Sequence, residues 1–528
     1  MTERDEGFAA RSWLMLIAAL VLGGSVAWAS GVEIFRLQSQ EAFLRGTLEG
    51  MSVDEIGTLR LAPRAERVTS LTEPFLLSAA VHPEGWVLGT GNDGKVFLLR
   101  SDGGLEELFA ADEPEIFTLW VDPEGTVWAG SSPEGHVYRY RDGEAEVFFS
   151  PGELYVWDLQ GVGDDLLVAT GTQGKLFRVE RDGEARVVWD SDDTHVRSLA
   201  VNGSGEIVAG TAGEGLIVRI DAEETVTTLH DAVAPEVVDL ARGGEGEVWA
   251  AVVASEASKL PVPSSGAGSG KSDEEDDEEG ADVEVETTPS ARTVGSRPPG
   301  FEGPRSQILR IAPSGRVETR ARLEDATVFG LLWHRHGLWI GTGLEGKLYR
   351  LSDDELVLQS DVDERQIVAV VPDEPHPGFA TTNAAAFYRL TEERERKGTY
   401  TSPVLDAEEL ARFGTFRWMG EGPRGTRVEL SFRAGMSSEP DATWSPWTEG
   451  RSGRELGLED LPPARFVQWR LDATSRGEET PALSAAELSY RQENLPPEIE
   501  SLEVLEPGKI LVPLNFNPAQ QVYEPAHP

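Results

Sequence analysis

The 528-residue chain contains no cysteine. That removes disulfides, Cys-ligated zinc, iron–sulfur clusters and thiol nucleophiles together. It leaves the compartment open, because a chain with a large core needs no covalent staples. Positive charge is scarce as well. The 47 Lys and Arg face 92 Asp and Glu, a formal net charge of −45. Residues 254–305 hold twelve acids and five bases, a net of −7, so the remaining −38 is spread along the chain. Such a field repels phosphate backbones, and nucleic acid is not an expected partner. It favours cationic partners or divalent ions without naming one.

Catalytic signatures are missing too. The eight histidines are scattered, with no H-E-x-x-H spacing. His334 and His336 flank Arg335 between two strand-like runs and read as an exposed loop, not as metal ligands. No G-x-S-x-G elbow occurs. Residues 268–272, GSGKS, end like a P-loop but lack its earlier glycine and the strand-to-helix setting. Adjacent acids such as Asp192 and Asp193 are expected by chance in so acidic a chain. No catalytic residue, metal ligand or cofactor is therefore expected.

What is present is repetition. VLGTGNDGKVFLLRSDG, WAGSSPEGHVYRYRDG, VATGTQGKLFRVERDG, VAGTAGEGLIVRIDAE and WIGTGLEGKLYRLSDD are five versions of one phrase. Aligned on Gly94, Gly135, Gly174, Gly215 and Gly346, the first steps are 41, 39 and 41 residues and the last is 131. Removing residues 254–305 leaves two periods in that gap. The split copy is visible as Val248-Trp249-Ala250-Ala251 and Gln307-Ile308-Leu309-Arg310-Ile311. A degenerate seventh copy runs from Gly378 to Leu390. Within the second unit, residues 116–121, 126–130, 136–141 and 146–149 read as short strands. They are separated by turns such as Asp122-Pro123-Glu124-Gly125 and Asp142-Gly143. A period near 40 with four antiparallel strands is a propeller blade, which cannot bury its faces alone. The seventh copy lacks a fourth strand, and residues 66–71 are expected to supply it and close the ring. The expected fold is all-β: a seven-bladed β-propeller over 57–390 and a C-terminal antiparallel β-sandwich over 399–492.

These units resemble the seven-bladed β-propeller superfamily, most nearly bacterial extracytoplasmic propellers of the two-component-regulator or WD40-like kind. The resemblance implies the fold and leaves the activity open, since propellers host enzymes and scaffolds alike. The Trp-Asp pairs at Trp157-Asp158 and Trp189-Asp190, and the single Gly135-His136, do not recur with the repeat. They are read as chance.

Residues 254–305 form an acidic, low-complexity insert within blade five. Its run 273–279 lacks the alternation of a calcium loop and reads as solvated. Beyond Leu390 the pattern changes to alternation, as in TRVELSFR and RFVQWRL. These phrases, with TSPVLDA and ALSAAELSY, resemble a jelly-roll-like module. A Pro-rich tail occupies 493–528. Two tryptophans, Trp444 and Trp447 in ATWSPWTEG, flank a proline that disfavours a central strand. They are the candidate ligand-binding residues, as an aromatic strip for a cell-envelope glycan. At the other end, residues 13–29, WLMLIAALVLGGSVAWA, carry no charge and finish in a small-residue cut site. This reads as a signal peptide, or as an uncut N-terminal anchor over 1–29 and the only membrane contact. The expectation is an exported, non-catalytic binding or scaffold protein with a protein, peptide or glycan partner. The alternative is a propeller glycan hydrolase or lyase with its site at the central channel.

Overall fold

The structure is a computed structural model that describes residues 31–202, 205–254, 303–343, 346–492, 514–517 and 522–525. The segment read as signal or anchor, and residues 255–302 of the acidic insert, lie outside the described residues.

Seven four-stranded antiparallel units follow one another. Blade one runs Leu76–His82, Gly85–Thr90, Lys95–Arg100 and Leu105–Ala110. Blade two runs Glu115–Val121, Val127–Ser132, Val137–Arg141 and Glu144–Phe149, within two residues of the sequence reading at each end. Blades three to six begin at the inner strands Tyr155–Val162, His195–Val201, Glu236–Arg242 and Thr327–His334. The insert leaves blade five between Val248–Val253 and Ser306–Ile311, which still pair from Val248↔Ile311 to Val253↔Ser306. Blade seven consists of Gln366–Val371, Gly378–Thr382 and Ala386–Arg394, with Pro63–Ser70 as its outer strand. The ring is thus closed by chain that precedes blade one. The registers are Phe387↔Thr69 and Arg389↔Glu66, and Arg67 adds bonds to Glu364 (2.6 Å) and Tyr388 (2.8 Å).

The repeated phrase now has a physical reading. Its Thr or Ser, buried in every copy except that of blade five, where Val252 stands, stitches the second strand to the third five residues on. Examples are Thr90 to Lys95 (3.1 Å), Thr170 to Lys175 (2.9 Å) and Thr342 to Lys347 (2.9 Å). The residue before it in sequence, or one earlier, is small because a branched side chain of the next inner strand lies against it. Ile116 sits over Gly89, Val156 over Gly130 and Val237 over Gly210. The phrase is therefore an inter-blade contact surface, which is why every blade carries it.

Buried acids do similar work on the face that carries the turns between second and third strands. Glu73 bonds Lys95 (2.9 Å), and Glu113 bonds Tyr138 (2.8 Å) and His136. Glu153 accepts from the amides of Thr172 and Gln173 (2.7 and 2.8 Å), and Asp193 from that of Glu214 (2.9 Å). Each fastens the loop entering a blade to that blade's own hairpin. Burial opposes ionisation of Glu113, yet the bonds from Tyr138 and His136 hold it below the usual carboxylate range.

The second body differs from a purely C-terminal sandwich. It is a ten-stranded assembly that includes Glu33–Leu37, Thr47–Glu49, Met51–Val53 and Leu59–Leu61 from before the ring. Glu33–Leu37 pairs with Ala482–Gln492, and Thr47–Glu49 with Lys397–Thr401. The stretch 57–61, assigned from sequence to the propeller, belongs to this sandwich instead, through Leu483↔Leu59. The propeller is consequently an insertion between the two halves of the sandwich. Val467, Trp469 and Leu471 are fully buried, as their alternation predicts. The sandwich core is continuous with blades five and six. Phe43, Met51 and Tyr400 share a cluster with Trp249, Val328 and Leu358, and Gln40 donates to the Leu356 carbonyl (2.6 Å). Among the described residues no helix is long and apolar enough to cross a membrane.

Candidate functional site at the channel mouth

Every inner strand carries a bulge at the same place. The register skips Leu77, Phe117, Trp157, Arg197, Val238, Phe329 and Val368, one from each blade in turn. A bulge leaves the extra residue out of the ladder and re-aims its side chain. Here all seven line a central cavity of about 180 Å³. The residues that follow them form a lower tier, and four of these latch one blade to the next. Ser78 donates to Ile116 O (2.8 Å) and Ser198 to Val237 O (3.0 Å). Asp158 accepts from Leu199 N and Asp239 from Leu331 N, both at 2.7 Å.

Two residues before each bulge is the mouth tier: Phe75, Glu115, Tyr155, His195, Glu236, Thr327 and Gln366. Blades two to five place an aromatic and titratable cluster here. The Tyr155 and Trp157 rings stack at 4.7 Å, and Phe117 lies 5.0 Å from Trp157. The Trp157 indole N–H donates to Nδ1 of His195 (3.1 Å), which puts the imidazole proton on Nε2. The guanidinium of Arg197 lies 4.3 Å over the Trp157 ring, and its Nε is 3.1 Å from Glu236 Oε1, both side chains being buried.

Environment shifts these groups in opposite directions. Burial, and then the charge of Arg197, push His195 down to about 4. Burial pushes Glu115 up to about 7. Burial and then Asp239 push Asp158 up to about 7, even though it accepts two amide hydrogens. Near neutral pH the mouth therefore holds a neutral histidine and a half-ionised Glu115. On blades six and seven several buried polar atoms have no hydrogen-bond partner in the protein: Thr327 Oγ1, Gln366 Oε1 and Thr382 Oγ1. Ser132 and Thr382 stand directly across the ladder from Glu115 and Gln366.

The tryptophans singled out in sequence lie elsewhere. Trp444 is 6% exposed, packs on Gly435 and donates to Ser437 Oγ (2.9 Å), so it has no open face for a ligand. Trp447 is half-buried, with the guanidiniums of Arg433 and Arg470 at 4.5 and 5.1 Å from its ring. Arg433 contacts both indoles, but the pair does not form an exposed strip. His334 and His336 sit at the turn of a blade-six hairpin, and among the described residues no group of His, Asp and Glu has a metal-binding arrangement. The channel cluster was missed because the equivalent positions differ in residue type. In sequence, Trp157 and Asp158 form a dipeptide that does not recur with the repeat. The available signal was the spacing itself, since Phe75, Glu115, Tyr155 and His195 lie 40 residues apart.

No protein-family model matches the chain, and no curated protein does. Solved structures do show similarity. A streptogramin B lyase shares 11% identity over 62% of this chain and 98% of its own, with a TM-score of 0.48. Virginiamycin B lyase from Staphylococcus aureus shares 12% over 68% of this chain and 99% of its own, at 0.46. YCF48 bound to D1 peptide shares 12% over 62% of this chain and 95% of its own, at 0.41. At such identities the likeness concerns the propeller fold alone.

Proposed function

We propose that the chain is an extracytoplasmic, non-catalytic binding or scaffold protein that receives its partner at the channel mouth. The supporting observation is that the groups fit for chemistry there are committed to one another. His195 Nδ1 accepts from Trp157, and Arg197 is paired with Glu236 and covered by Trp157. What remains is a preorganised aromatic wall with unsatisfied polar atoms, which is a recognition surface. Export rests on the uncharged run 13–29. The partner is a protein, a peptide or an envelope glycan, and Trp447 is an accessory contact on the sandwich.

The catalytic alternative has one observation in its favour: carboxyls raised to about 7 at Glu115 and Asp158. One experiment addresses both readings. Residues 31–528 are immobilised and used to capture material from an envelope extract, beside the Tyr155→Ala variant. A partner held by the native chain and lost by the variant, at unchanged melting temperature, supports the mouth. Equal capture by both, or turnover of an envelope glycan that stops in Glu115→Gln, contradicts it.

A further inference from the structure

Each inner strand starts at the mouth, so the hairpin joining it to the second strand lies on the opposite face of the ring. In blade six that hairpin turns at His334-Arg335-His336-Gly337. Arg350 of the third strand lies over it, so that a Cβ on Gly337 would stand 2.7 Å from the Arg350 Nε. The same arginine recurs in other blades, and there its Nε donates to a carboxylate. Arg139 bonds Glu146 (2.8 Å), Arg178 bonds Asp165 (2.7 Å) and Arg389 bonds Asp373. Asp165 and Gly337 hold the same place, five residues before the stitching Thr170 and Thr342. Blade six thus has glycine where blade three has the acid. The Arg350 Nε is buried without a hydrogen-bond partner in the protein, and Nη2 reaches only the Arg335 carbonyl, at 3.5 Å. Among the described residues, no other arginine at this place in a blade has a buried nitrogen left so. A sealed guanidinium N–H with no acceptor is costly, and an anion relieves that cost.

The surroundings of Arg350 suit an anion. His334 Nε2 is also buried without a partner, and the His376 ring of blade seven lies 6.2 Å from that of Trp339, which pairs across the ladder with Arg350. The Trp339 indole N–H is unpartnered too, but so are those of Trp128 and Trp249 at the same place, and it is not counted. The acids of this rim are engaged or exposed: Asp373 is held by Arg389, Glu374 by Arg335, and Glu392 faces solvent. We propose that this rim, between blades six and seven, binds the carboxylate of a small organic acid, taken by the Nε–H of Arg350 with His334 and His376 beside it. The site is separate from the channel mouth and does not depend on the role assigned there. A carboxylate is the group that three sister blades present to this nitrogen. A small acid is the source because a chain whose net charge is −45 repels an acidic protein face and opposes a single monoanion least.

Such binding is coupled to protons. Burial and then the charge of Arg335 hold His334 below its usual value, and burial and then Arg350 do the same for His376. The other groups facing them are the Pro375 carbonyl and Asp373 at His334 and Glu392 at His376, each acting weakly in the opposite sense. A carboxylate on Arg350 offsets the guanidiniums, so both histidines rise when it binds. Affinity therefore increases as pH falls below 6.5, for as long as the acid stays ionised.

The test uses residues 31–528 with carbon-13 at Cε1 of histidine, titrated with sodium propionate while the His334 and His376 resonances are followed. His334→Gln and His376→Gln assign the two signals. Propionamide keeps the shape without the charge, sodium chloride matches the ionic strength, and acetyl-Gly-Glu-Gly-amide offers the same carboxylate on a peptide. The expected result is a saturable shift with propionate and a raised titration midpoint for both histidines. Binding is weakened at least about tenfold for propionamide and for Arg350→Gln. Gly337→Asp supplies the carboxylate in cis, as Asp165 does in blade three, and abolishes the response at an unchanged or higher melting temperature. Gly337 is outside the left-handed region, so its backbone accepts the aspartate. Should that variant not fold, Arg350→Gln decides alone. No response to propionate, a response matched by propionamide or chloride, or full binding in Arg350→Gln or in folded Gly337→Asp overturns the proposal. Tighter binding of the glutamyl peptide than of propionate overturns a small acid as the source.

Discussion

At the residue scale, the repeated glycine before each third strand has a defined task. Gly94 has φ +59°, and a Cβ there would run into the Glu113 carbonyl of the loop that enters blade two. Its own amide donates to Pro114 O at 2.8 Å. Gly103, at φ +90°, meets nothing within 4 Å. Gly94→Ala should therefore cost ~3 kcal/mol, from backbone strain plus collision, while Gly103→Ala should cost ~1 kcal/mol. Urea unfolding of the two variants compares them directly. The carboxyl of Glu115 gives a second prediction. Its ordinary value of 4.5 rises to about 7 on folding, so between those values the folded state holds a proton that the unfolded state has lost. Stability from this group falls as pH rises through that window. His195, depressed to about 4, acts in the opposite sense, gaining stability as pH rises from 4 to 6.5. Glu115→Gln removes the first effect only. The variant should match the native chain below the window, near pH 3.5, and melt higher near pH 8, as thermal scans at the two values would show.

At the element scale, the seventh blade depends on a strand far away in sequence. Pro63–Ser70 supplies its outer edge and the Arg67–Glu364 pair. Deleting residues 63–70 should leave Ala386–Arg394 as an open edge and lower the melting temperature sharply. Excising 255–302 and joining the ends of blade five with a short turn should change it little, because loop length enters stability only logarithmically. Calorimetry on the two deletions separates these outcomes. The blades were legible in sequence because each must bury both faces against similar neighbours, which forces a small residue into every copy and the hydroxyl and turn glycine into most of them. The closing strand was legible for a related reason: Gly378 to Leu390 ran out one strand short. The mouth was not legible, because Phe75, Glu115, Tyr155 and His195 meet different neighbours and share no residue type. Nor was the fate of 33–61, since three-residue strands such as Thr47–Glu49 and Met51–Val53 carry too few alternating positions to declare a face.

At the scale of the whole molecule, the propeller is inserted into the sandwich, and the two share one core through Phe43, Tyr400, Trp249 and Val328. Residues 398–492 expressed alone lack four strands and lose Phe43 from against the buried Tyr400 ring. They should aggregate or stay unfolded, whereas joining 31–61 to 397–492 by a short linker should restore a cooperative melt, read by circular dichroism. Such a body is docked on blades five and six, whereas Glu115, Tyr155 and His195 belong to blades two to four. The central claim is that this mouth is where the partner binds. Hydrogen–deuterium exchange of residues 31–528, alone and saturated with a captured partner, tests it most directly. The account predicts new protection in peptides covering 113–118, 153–158, 193–198 and 364–368, with the outer strands unchanged. Protection confined to the sandwich around Trp444 and Trp447, or to the outer blade edges, would contradict it.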